Sequence, residues 1–131
     1  MCKYPQEYIG KITNTKFPYY DIKSQSVRFK ARPVMIVGCE YDSFPCDFTI
    51  LPVSKIQDES RRNQKYDHEL NEEKCRLLNL KCIPSFIRCH KIGTVSSYDV
   101  DRNIISDIKV AYPILFDEIH QKYNDFNSTL F

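Results

Sequence analysis

The chain has 131 residues, of which 42% are hydrophobic, 27% charged and 13% aromatic. That length fits one domain spanning 1–131, and the apolar fraction excludes a wholly disordered chain. Nineteen Lys and Arg against 17 Asp and Glu leave a formal net charge of +2. This excludes a polybasic tail or a long acidic segment, but not a local basic face.

Three glycines argue against Gly-rich phosphate loops and linkers. Six cysteines are too few for a disulfide scaffold. No C-x-x-C or H-x-x-x-H pair supplies zinc ligands, so no metal or other cofactor is expected. The N-terminal MCKYPQEYIG has no apolar run behind its charge, so a signal peptide is not expected. No apolar run is long enough to span a membrane. These features predict a cytoplasmic protein with reduced thiols and no membrane partner.

In chain order, alternation over Tyr8–Ile12 predicts a first strand, broken by polar Thr13, Asn14 and Thr15. Residues 18–31 mix aromatics with Lys23, Arg28 and Lys30 and read as a long loop. Pro33–Cys39 is a dense β-branched run and predicts a buried strand. Asp42–Pro45 reads as a hairpin turn and Asp47–Val53 as the next strand. Residues 57–65 are polar and predict an exposed loop or one irregular helical turn. Tyr66–Leu70 suits a short edge strand, and residues 71–80 leave strand-and-turn and a helical turn both open. Ser85–Ile92 predicts a strand, continued in extended form over Thr94–Tyr98, and Asn103–Ile108 is short and local. Tyr112, Leu115, Phe116, Ile119, Tyr123 and Phe126 form the stripe of an amphipathic helix, with Pro113 suited to its first turn. The expected architecture is mainly β with a C-terminal helix, as a small barrel or strongly curved sheet.

Three polar stretches adjoin the predicted strands. Pro33 biases Arg32 towards an extended backbone at a strand mouth. There its guanidinium could grip a phosphate, or pair with a surface carboxylate. Ser54 follows the apolar strand 47–53, so its hydroxyl either meets a ligand oxygen or caps a turn. In Ser85–Ile92, alternation sends Phe86, Arg88, His90 and Ile92 to one face and Ile87, Cys89 and Lys91 to the other. Cys89 and His90 therefore do not form a thiol–imidazole dyad. His90 is either structural or a proton carrier. Basic residues flank these stretches: Lys23, Arg28, Lys30 and Arg32; Lys55, Arg61, Arg62 and Lys65; Arg88, His90 and Lys91. Interleaved with Phe17, Tyr19, Tyr20 and Phe29, they suit single-stranded nucleic acid, or an ordinary solvated surface.

The order of motifs resembles the PemK/MazF-type toxins of bacterial type II toxin–antitoxin systems. The likeness rests on Gly10-Lys11-Ile12, Arg32-Pro33-Val34-Met35-Ile36-Val37, Ile50-Leu51-Pro52-Val53-Ser54, Ser85 to Val95, and the terminal helix. It implies a small SH3-like β-barrel of the PemK/MazF/CcdB type, working as a homodimer. It implies a metal-independent, sequence-selective endoribonuclease that cleaves single-stranded RNA by attack of the 2′-hydroxyl, leaving a 2′,3′-cyclic phosphate. Arg32 and Ser54 match catalytic positions of that family. The acidic loop of many members is replaced by Ser24–Lys30, and His90 is the substitute base. Arg28, Lys30, Lys55, Arg88 and Lys91 are the implied RNA contacts. The implied partner is a cognate antitoxin with a disordered tail, received by Phe17, Tyr19, Tyr20 and Phe29. The alternatives are a non-catalytic nucleic-acid- or protein-binding barrel, and a related toxin acting on a topoisomerase.

Overall fold

A computed structural model gives the fold and describes residues 2–131. Seven strands are present: β1 (Lys11–Asp21), β2 (Ser26–Cys39), β3 (Asp47–Ser54), β4 (Asp67–Leu70), β5 (Ser85–Arg88), β6 (Gly93–Ser96) and β7 (Ser106–Asp107). They pair antiparallel in the order β4-β5-β3-β2-β1-β7. One half of β3 pairs with β6 and its end with β5, so the sheet divides and curls along that edge. The helices are α1 (Glu72–Leu77), α2 (Ile108–Ala111) and α3 (Pro113–Asn127). The chain is thus mainly β with a C-terminal helix. No helix among the described residues is long and apolar enough to cross a membrane.

β3 and the second half of β2, from Pro33 on, are covered on both faces, which is why Pro33–Cys39 reads as a continuous apolar run. Met35, Leu51 and Val53 turn towards a core shared with Ile12, Ile87, Leu115 and Ile119. Val34, Ile36, Phe48 and Ile50 turn the other way, onto Tyr8 and Val95. The apolar stripe of α3 closes the first core. The segment from β6 to residue 105 closes the second, and Thr13 and Thr15 anchor it. Their buried hydroxyls donate to the carbonyls of Asp101 (2.6 Å) and Asp99 (3.0 Å). Gly10 lets the chain enter β1: its φ is +92°, and a Cβ there would stand 2.7 Å from Lys109 Cγ.

The largest departure from the sequence pattern is the first hairpin. Residues 18–31 are not a loop: β1 and β2 continue through them in register, Pro18 opposite Phe29 and Tyr20 opposite Val27. The turn is confined to 22–25, with Gln25 at φ 53°. Thr13, Asn14 and Thr15 do not break the strand, because Thr13 and Thr15 satisfy their hydroxyls on carbonyls of the segment that follows β6. Residues 5–8, read partly as strand, form a 3₁₀ turn. The strand predicted over 85–92 stops at Arg88. Cys89 N–H still bonds the Tyr66 carbonyl in the β4–β5 register (3.1 Å), but the chain then turns at Cys89–His90, closed by Lys91 N–H on the Arg88 carbonyl (3.2 Å). The strand ends there, but the alternation holds through His90: Arg88 and His90 both meet Asp67, while Ile87 and Cys89 enter the first core. The ambiguous 71–80 stretch contains α1, started by Asn71, whose side chain accepts from Lys74 N–H.

Candidate functional site

Arg32 ends the stretch of β2 that precedes its pairing with β3. It lies opposite Thr15 in β1. Continuing the Val34–Pro52 register by two residues brings it level with Ser54 at the end of β3. The two polar stretches read separately in the sequence are thus neighbours across one sheet end. Pro33 lies just outside the β2–β3 pairing, which ends at Val34–Pro52, so its missing N–H removes no bond of that ladder.

A groove of about 650 Å³ opens at this point. Lys30, Arg32, Ser54 and Lys55 form one wall. The α1–β5 connection supplies Asn79 and Lys81, β5 its first residue Ser85, and the crossing segment Asp101 and Asn103. Four cations, Lys30, Arg32, Lys55 and Lys81, meet one carboxylate, Asp101, among the described residues lining the groove. None of the four forms an ion pair among the described residues. Lys30 Nζ instead rests 4.9 Å from the centre of the Tyr19 ring. Asp101 accepts from Asn103 N–H through Oδ1 (2.9 Å), which fixes the carboxylate at the groove rim. Cations left without an internal partner need a bound anion or solvent to neutralise them.

The remaining sequence-selected residues lie elsewhere. Arg28 sits near the hairpin tip with its guanidinium 3.3 Å from Asp21, an exposed pair. Arg88, His90 and Lys91 do not line the groove. Arg88 is tied to Asp67, which is buried: Nε donates to Oδ1 (2.9 Å) and Nη2 to the Arg61 carbonyl (3.1 Å). Asp67 Oδ2 also accepts from Asn63 N–H (2.7 Å). His90 packs against the paired rings of Tyr66 and Phe126, with Nδ1 3.7 Å from Asp67 Oδ1. Burial holds its pKa below the ordinary histidine value, against the opposing pull of Asp67. The position of His90 therefore does not bring it to Arg32 and Ser54. Cys89 is buried, and burial pushes its thiol up to about 12, so it is inert as a nucleophile.

Lys81 and Asp101 were not legible as site residues. Each falls in a connection, and each reaches the groove only because α1 and the crossing segment fold over the end of the sheet. Asn79 carries the one local signal, an Asn just past a helix, and it adopts φ 56° there. Among the described residues no three His, Cys, Asp or Glu cluster as a metal site. No protein-family model matches the chain, and no curated protein matches it.

Proposed function

We propose that the chain is a toxin of the PemK/MazF type, an endoribonuclease acting on single-stranded RNA. The observation that carries this reading is the groove itself: four unpaired cations beside a strand-end serine and one carboxylate. Such a groove is suited to a phosphodiester held at its charge-bearing atoms. In the proposed reaction the ribose 2′-oxygen attacks the adjacent phosphorus as the bond to the 5′-oxygen breaks. The products are a 2′,3′-cyclic phosphate and a 5′-hydroxyl. Arg32 stabilises the charge on the equatorial oxygens, and Ser54 donates to one of them. Asp101 accepts the 2′-hydroxyl proton, and a groove ammonium protonates the leaving oxygen. Every step uses groups of this chain and no metal.

The same reading takes the curled sheet as the SH3-like barrel of that family, acting as a cytoplasmic homodimer restrained by a cognate antitoxin. The β1–β2 arm supports a role in partner contact. Tyr20 and Phe29 stand exposed on one face of it, and Phe17 and Tyr19 lie on the other.

Purified protein incubated with long single-stranded RNA in EDTA tests the reading. Cleavage with 2′,3′-cyclic ends is expected, and Arg32→Ala should lower the rate about 10²–10³-fold. RNA left intact in both EDTA and magnesium sinks the enzyme. Salt-dependent RNA binding without cleavage would then assign the groove to a binding protein.

A further inference from the structure

A second recess lies across the crossing segment from the groove. Val100 and Arg102 line it, whereas Asp101 and Asn103, alternating with them, line the groove. Its volume is about 590 Å³, within the range of small-ligand sites. The floor is aromatic: the Phe44 ring stands edge-on to Tyr8 at 6.0 Å and to Phe48 at 6.2 Å. Tyr98, 81% exposed, stands at the margin. Lys3 and Arg102 bring the charge, and neither forms an ion pair among the described residues. Tyr8 is 5% exposed, and its ring lines the recess. Aromatic rings and two cations without an ion pair around one recess point to a ligand that carries both a planar ring and an anion.

We infer that this recess binds one nucleotide, its base stacked on Phe44 and Tyr98 and its phosphate held by Arg102 and Lys3. Rings recognise the π-face of any base and the cations recognise the phosphate. The inference rests on the RNA reading for its preferred source, a nucleotide flanking the one in the Arg32 groove. A free nucleotide offers the same chemistry.

Backbone amide NMR titration of the wild-type protein separates these cases. The probes are uridine 5′-monophosphate, uridine, inorganic phosphate, and a 2′-O-methyl uridine hexamer that lacks the attacking hydroxyl. Shifts centred on Tyr8, Phe44, Ser97 and Arg102 are expected with the hexamer. Arg102→Gln and Tyr98→Ala, both at exposed positions, should each weaken that binding about tenfold. Equal saturation by uridine 5′-monophosphate identifies a free-nucleotide site, and saturation by the hexamer alone identifies a strand subsite; both support the inference. Equal shifts with inorganic phosphate, or silence at these residues with every probe, overturn it. Cleavage with a silent recess removes only this inference. A recess that binds in a protein that never cleaves RNA removes only the nuclease.

Discussion

The Arg32 groove and the Asp67 cluster are built from the same kinds of side chain on the same sheet, and they differ in what neutralises them. In the cluster, Asp67 receives Arg88 and the Asn63 amide within the protein, and His90 packs against two rings. In the groove, Lys30, Arg32, Lys55 and Lys81 face outward around one carboxylate. A charge that is satisfied internally holds elements together, here β4, β5 and the 58–66 connection. A charge left open is available to a ligand. Residue type alone does not distinguish the two; the partner does.

The sharpest way to break this contrast is at Asp67. Asp67→Ala strands the Arg88 guanidinium in a partly buried place and should cost about 3–5 kcal/mol in urea unfolding. Replacing both partners by apolar residues, Asp67→Leu with Arg88→Met, should recover most of that loss. A single variant that loses less than about 1 kcal/mol would show that water serves Arg88 as well as Asp67 does.

His68 gives the next effect. It is buried against α3, where Lys122 Nζ donates to its Nδ1 at 2.8 Å. Burial, then the Lys122 charge, lowers its pKa to about 4. The folded state thus resists a proton that the unfolded chain accepts near pH 6.5. Stability is fully present above that pH and falls as pH drops from about 6.5 to 4, by roughly 2–3 kcal/mol. The His68→Gln protein should lack this component of the acid slope. Identical pH profiles for the two proteins would refute it.

How far the sequence revealed these regions follows from the same distinction. The apolar runs of β2 and β3 and the stripe of α3 were legible because burial imposes a period or a continuous run. The 16–31 arm was not. Its strands carry no buried face, so Lys, Ser and Arg interrupt the pattern although the backbone remains paired. Arg32 and Ser54 were legible because a Pro and an apolar strand mark their positions. Their adjacency depends on the β2–β3 register, and Asp101 and Lys81 depend on how two connections cross the sheet. His90 shows the opposite case: the alternation correctly sets it beside Arg88, but their shared face meets Asp67 and not the groove, which a local pattern does not reveal.

His90 therefore sharpens the comparison with a smaller effect. Its Nδ1 is buried without a hydrogen-bond partner. His90→Phe keeps a ring against Tyr66 and Phe126 and removes that unsatisfied atom. The change in unfolding free energy should be under about 1 kcal/mol in either direction. RNA cleavage should persist at the wild-type rate; its loss would return His90 to the catalytic group.

The smallest effect on stability is expected where the effect on activity is largest. Arg32 is exposed and unpaired, so Arg32→Ala removes no internal bond. Unfolding free energy should change by less than about 0.5 kcal/mol. Removing one of four neighbouring cations relieves repulsion, so the sign is towards stabilisation at low salt, fading as salt screens the groove. A loss above about 1 kcal/mol, measured alongside Asp67→Ala, would mean that Arg32 is held by a partner as Arg88 is. The separation of structural from ligand-directed charge on this sheet would then fail at its central residue.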